Sequence, residues 1–257
     1  DQGIFNYARG VGVTPAGTAY FQPAQGSDFY RVVEGAPRPQ RLRGGVGGYG
    51  PFVVLPDGTV VTIDTMSKRA ASLSGRRRES LQLFPFADAY ISAAAAGPAA
   101  TIWLFEAVER RIYIFSAGGR QIDTIIPAVP RGVGSQTVAL APYPSGEFLL
   151  LARNGLWKLR RDGQPIWKYD QLPEMTNTTF QQMVAVAPVP RLGAIYLADS
   201  GSRSLFRLTE TDSIADRSAQ GGTEEKGSIA DRSAQLGTEE AATAKELREL
   251  NAALEAR

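Results

Sequence analysis

An all-β fold, a β-propeller of four-stranded blades with a linker and an α-helix at its C-terminal end, is what this sequence predicts. Three observations carry the prediction. Two short apolar runs joined by a polar turn recur five times. The first runs begin at residues 18, 59, 101, 147 and 194, so the spacings are 41, 42, 46 and 47. Further strand-like runs flank each pair, and four strands per period of about 40–50 residues is the mark of propeller blades.

The first runs of the five hairpins are 18–21, 59–62, 101–104, 147–150 and 194–197, and the second runs are 29–32, 70–73, 112–115, 156–159 and 205–208. Their apolar and β-branched content suits paired strands. An inner strand precedes each hairpin at 8–13, 52–55, 90–96, 137–140 and 183–187. A fourth strand is clearest at 81–84, 121–126 and 166–169. Pro56-Asp57-Gly58, Ala117-Gly118-Gly119 and Arg161-Asp162-Gly163 mark turns between them. One four-stranded sheet cannot bury both apolar faces, whereas blades stacked around an axis cover one another. The small residues Ala93 to Ala96 fit the crowded innermost strand, and Gly97-Pro98 argues against reading that run as helix.

Three units carry an acid and a base four residues apart in the same register: Asp64 with Lys68, Glu106 with Arg110, and Asp199 with Arg203. Asp, Ser and Arg gathered in one turn, as at 199–203, suggest chemistry. Recurrence at matched positions argues instead for a structural joint, in which the carboxylate caps backbone N–H groups while the base bridges to a neighbouring blade. The fifth unit, running from Val184-Ala185-Val186-Ala187-Pro188 through Gly193-Ala194-Ile195-Tyr196-Leu197-Ala198-Asp199-Ser200-Gly201 to Arg203, resembles an NHL repeat. Units two and three follow the pattern with Asp64/Lys68 and Glu106/Arg110. Unit one departs with Pro23 and Ser27, and unit four has a shortened turn at Arg153-Asn154-Gly155. The resemblance spans residues 4–210 and implies a propeller, commonly one of six blades. RNA binding, known among such propellers, asks for a broad basic and aromatic surface that this sequence does not display.

Five hairpins are visible, and the last lacks a fourth strand of its own. The ring therefore has five blades or is an incomplete six. In a closed ring Gly3-Ile4-Phe5-Asn6 would supply the missing outer strand of the last blade and remove an exposed edge. Residues 1–212 form the expected propeller, 213–237 a flexible tandem-repeat linker and 238–257 a helix. The linker repeats residues 213–220 word for word at 228–235 and holds too few apolar side chains to fold alone. Thr243 and Glu246 have capping-box spacing, and Leu247, Leu250 and Leu254 form a narrow stripe suited to packing or coiled-coil association.

Formal net charge is +2, divided unevenly. Residues 1–212 hold 22 basic and 17 acidic side chains, and residues 213–257 hold 6 and 9. That imbalance is too mild for a nucleic-acid partner. No run approaches the roughly 18–20 apolar residues of a membrane span. The chain has no Cys and no His, which removes disulfides, the zinc chemistry known for propeller enzymes and any Ser–His–Asp triad. Asp88 and Asn6 are the only obvious calcium-ligand candidates near the inner strands, too few to make a site. The glycine-rich stretch 44–50 lacks the Lys-Ser/Thr of a phosphate loop. No metal or cofactor is expected, and the chain reads as not an enzyme. The start at Asp1 without Met reads as a processed, extracytoplasmic product or, equally, as a cut-out fragment.

What remains is surface. Arg76, Arg77 and Arg78 follow the third strand of unit two, and Arg160 and Arg161 occupy the same place in unit four. Equivalent turns emerge on one end of a propeller, so these five guanidinium groups would share it, and their forks suit carboxylates, phosphates and acidic sugars. The function expected is a non-catalytic scaffold for protein–protein interaction, monomeric or associating through its C-terminal helix. The alternatives are an anionic glycan bound at the arginine face and, weaker, a metal-assisted lyase or hydrolase.

Overall fold

A computed structural model describes residues 8–23, 28–33, 38–42, 50–74, 77–130, 137–152, 155–169, 183–189, 193–199 and 204–209. They form a β-propeller. The first blade holds β1 (Ala8–Val13), β2 (Ala19–Pro23), β3 (Phe29–Val32) and β4 (Gln40–Leu42). The second holds β5 (Phe52–Val54), β6 (Val60–Asp64), β7 (Arg69–Ser74) and β8 (Arg77–Leu81). β9 (Ile91–Gly97), β10 (Thr101–Glu106), β11 (Arg111–Phe115) and β12 (Gln121–Ile125) make the third. The fourth is β13 (Thr137–Pro142), β14 (Phe148–Ala152), β15 (Gly155–Leu159) and β16 (Pro165–Tyr169). The fifth shows three strands among the described residues, β17 (Met183–Val189), β18 (Ala194–Asp199) and β19 (Ser204–Thr209). Every sheet is an antiparallel meander in chain order. The first strands of consecutive blades lie side by side, β1 by β5, β5 by β9, β9 by β13 and β13 by β17, as strands around a common axis do.

Alternation along each strand explains the stacking. On β10, Ile102 and Leu104 pack toward the second blade while Trp103 and Phe105 pack toward the fourth. On β14, Phe148 and Leu150 face the third blade and Leu149 and Leu151 the fifth. Strands buried on both faces read as continuous apolar runs rather than alternating ones. The core therefore lies between sheets, in one cluster for each of the four junctions between consecutive blades. Aromatic rings fill the wider parts: Trp103 meets Phe148 edge-on at 5.7 Å, and Phe29 meets Phe52 at 4.9 Å. Each fully buried side chain of this kind contributes about 1.5–3 kcal/mol.

The first turn of three blades is one motif: Thr14-Pro15-Ala16-Gly17-Thr18, Leu55-Pro56-Asp57-Gly58-Thr59 and Tyr143-Pro144-Ser145-Gly146-Glu147. In each, the first residue's N–H reaches the fifth carbonyl and the glycine N–H reaches the first carbonyl, at 2.8–3.0 Å. The glycines have φ of +82°, +84° and +90°. The third blade has Gly97-Pro98-Ala99-Ala100-Thr101 instead, with Ala99 and Ala100 in the left-handed region at φ 54° and 56°. A Cβ there costs about 1–2 kcal/mol, which glycine avoids at some entropic cost. Ala100→Gly should therefore stabilise the protein by about 0.5–1 kcal/mol and raise Tm by roughly 1–4 °C in calorimetry. An unchanged or lowered Tm would show this turn to be unstrained.

The fourth strand of blade two falls at Arg77–Leu81, not at 81–84. Outer strands need little apolar content, and four of the five residues of β8 are exposed. The apolar Leu83 and Phe84 that suggested a strand instead pack in the connection to blade three. Arg77 and Arg78 consequently belong to a strand, paired with Ser74 and Leu73, rather than to a turn. Residues 3–6 and the whole of 213–257, with the ring-closing strand, linker and helix expected there, lie outside the described residues. Among the described residues no helix is long and apolar enough to cross a membrane.

Candidate functional site

The acids of the joints in blades two and three cap backbone N–H groups as the register predicts, and the base bridges between blades at Lys68. β6 ends in Asp64, whose Oδ1 accepts the N–H groups of Met66 at 3.0 Å and Ser67 at 3.2 Å, while the Ser67 hydroxyl donates to Oδ2. Burial alone would raise the Asp64 pKa; the Ser67 hydroxyl and the Ser67 and Met66 N–H groups more than offset it, leaving the carboxyl below its ordinary value. β10 ends in Glu106, which is 0% exposed. Its carboxylate accepts the Tyr90 N–H at 2.8 Å and the Glu109 N–H at 2.6 Å. Lys68 and Arg110, four residues after each acid, close the turns with φ of 55° and 57°. Lys68 Nζ donates to the Ala89 carbonyl, bridging to the connection that enters blade three. The Asp199 side chain and Arg203 lie outside the described residues.

These joints hold up a surface that sequence reasoning missed. Met66 and Val108 occupy the same position, two residues after each acid, and are 73% and 71% exposed. Tyr90, 51% exposed, belongs to the same framework. The Ala107 N–H donates to its carbonyl at 2.9 Å, and the Thr65 hydroxyl donates to the next carbonyl, that of Ile91, at 3.1 Å. Beneath, the buried Tyr113 hydroxyl donates to Glu109 at 2.7 Å, and burial together with that carboxylate pushes its pKa up to about 12.

The predicted arginines lie at the other end, because successive hairpin turns alternate ends of a blade. Arg77 and Arg78 are exposed on β8, and neither has an acidic partner among the described residues. Arg76 lies outside the described residues. Arg160 is paired with Asp162 at 3.1 Å, and Arg161 reaches Asp123 of the third blade at 3.7 Å. The Gln164 N–H, followed by the Arg160 guanidinium, holds the Asp162 carboxyl below its ordinary value. Two of the five proposed groups are thus partly neutralised, which weakens an anion site built on all five. Exposed Arg120 stands at the equivalent turn of the third blade. Counting residues after each third strand would have found it. Among the described residues no three acidic side chains gather to hold a metal ion.

No family model and no curated protein matches this sequence. Solved structures match it in fold. A catalytically inactive virginiamycin B lyase from Staphylococcus aureus, solved with quinupristin, has TM-score 0.55 at 10% identity, covering 79% of this chain and 66% of that one. Glutaminyl cyclase from Myxococcus xanthus has TM-score 0.52 at 10% identity, covering 78% and 89%. YCF48 bound to D1 peptide has TM-score 0.56 at 14% identity, covering 82% and 66%. This chain thus spans just under two thirds of the lyase and of YCF48. The first two are enzymes, and they correct the expectation that this chain is not one. A propeller carries catalysis as readily as binding, and the lack of His removes one set of chemistries while leaving carboxylates, Tyr, Lys and Arg. The comparisons make the chain a β-propeller similar in fold to a lyase, a cyclase and a peptide-bound protein.

Proposed function

We propose that this propeller is a protein-binding module built of NHL-like repeats, and that its arginine-bearing end takes an acidic segment of the partner. The observation that carries the reading is the exposure of Arg77 and Arg78, consecutive residues on the two faces of an outer strand of fixed register, without an acid partner among the described residues. Guanidinium forks bind carboxylates bidentately and need no rearrangement when already presented on a sheet. The fold of YCF48, solved with a peptide, supports a polypeptide as the ligand class.

The test is a titration with a labelled oligoglutamate peptide, competed by a heparin oligosaccharide. R77A/R78A should weaken peptide binding at least tenfold, and binding should fall as salt rises. Unchanged peptide binding in that variant would rule out this end. Preferential binding of the oligosaccharide would replace the protein reading with the glycan one.

A further inference from the structure

We infer that the opposite end of the propeller, at the second turns of blades two and three, is a separate docking surface for an extended protein segment that carries an apolar side chain flanked by carboxylates. Met66 and Val108 are the two most exposed large apolar residues described, and exposed Tyr90 is tied to the same turns. Met66 and Val108 are register equivalents on adjacent blades. Hydrogen bonds from Thr65 to Ile91, Lys68 to Ala89, Ala107 to Tyr90 and Tyr90 to Glu106 tie both turns and Tyr90 into one frame.

Nothing in the fold requires apolar side chains at these apices. Gly, Asn, Asp and Ser are the residues that turns favour, and the matching position after Asp199 is Gly201. Both turns are held by their acids and by the left-handed Lys68 and Arg110, whatever the apex carries. Grouped apolar residues kept in water on a rigid frame mark an interaction site.

Charge selects the occupant. Of the bases that flank the two apices, Lys68 is held by the Ala89 carbonyl and Arg111 lies beside Glu109, while Arg69 and Arg110 form no ion pair among the described residues. The acids Asp64 and Glu106 are buried and occupied with backbone N–H groups. Exposed Glu109 is held by the Tyr113 hydroxyl and lies 3.5 Å from Arg111, which leaves Asp88 as the other exposed acid in these turns and the connection between them. The charges left over are Arg69 and Arg110, one beside each apex, against the single acid Asp88, which suits carboxylates on either side of an inserted apolar side chain. Three side chains on two turns fit a short linear segment.

Random dodecapeptides displayed on phage and selected against the full chain test this. The enriched peptides should place an aliphatic or aromatic residue beside Asp or Glu. Their affinity should fall at least tenfold in M66S/V108S and survive in R77A/R78A. Both substituted positions are exposed, and an unchanged thermal melt confirms that the variant folds. No enrichment, peptides without the acidic–apolar pattern, or affinity unaffected by M66S/V108S would each overturn the proposal. Peptides lost only in R77A/R78A would support the arginine end and overturn this one.

Discussion

Glu106→Ala will cost the propeller about 3–5 kcal/mol. The carboxylate is fully buried and accepts two backbone N–H groups, from Tyr90 at 2.8 Å and Glu109 at 2.6 Å. Each donor left without a partner away from water costs about 1–3 kcal/mol, and the vacated volume adds to that. For a domain of this size roughly 2–4 °C of Tm accompanies each kcal/mol, so calorimetry should show a fall of about 6–20 °C. Glu106→Gln keeps an acceptor for one of the two donors and turns its NH2 group toward the other N–H, so it should recover only part of that loss. Equal losses in the two variants would mean that the joint needs both carboxylate oxygens as acceptors at once. A change under about 2 °C in both would mean the joint contributes nothing.

Gly163→Ala will be strongly destabilising. Gly163 has φ +85°, and a Cβ there would lie 2.3 Å from the Ile126 carbonyl oxygen and 3.0 Å from its carbon. Both are backbone atoms of the preceding blade and cannot rotate aside. The same turn receives the Ala128 N–H on the Gly163 carbonyl at 2.8 Å. The left-handed conformation costs about 1–2 kcal/mol for alanine, and the displaced backbone roughly 1–3 kcal/mol more. Gly17→Ala is the matched control, with φ +82° and nothing within 4 Å of the added carbon. Urea midpoints should fall for both, with Gly163→Ala losing at least twice the stability. Similar losses would show that the contact between the fourth blade and the third gives way freely.

The propeller was legible because its hairpins repeat in register. Ile102, Leu149 and Ile195 all fall on strands that the period predicts, and all are buried. The outer strands were less legible, since β8 is almost wholly exposed and carries Arg77 to Ser80 where an apolar run was sought. Of the candidate site, the exposure of Arg77 and Arg78 could be anticipated from charge. The pairing of Arg161 with Asp123 could not, because it joins blades 38 positions apart in the chain. Met66 and Val108 were passed over for a different reason. Hydrophobicity in a hairpin sequence suggests burial, and only the capped geometry of their turns shows them facing water. The judgement on catalysis rested on missing residue types, which exclude particular chemistries and not catalysis as such, and enzymes are found on the same fold.

Each apolar cluster among the described residues is shared by two blades that follow one another in the chain. A side chain such as Trp103 therefore finds its neighbours within about one repeat of sequence, and burial there requires no distant segment to return. Such topology has low contact order for an all-β protein, so chain closure places a small entropic load on folding. Each sheet gains a packing surface as soon as its predecessor has formed. The middle of the propeller is thus suited to vectorial folding during synthesis, blade after blade, from the N-terminal side onward.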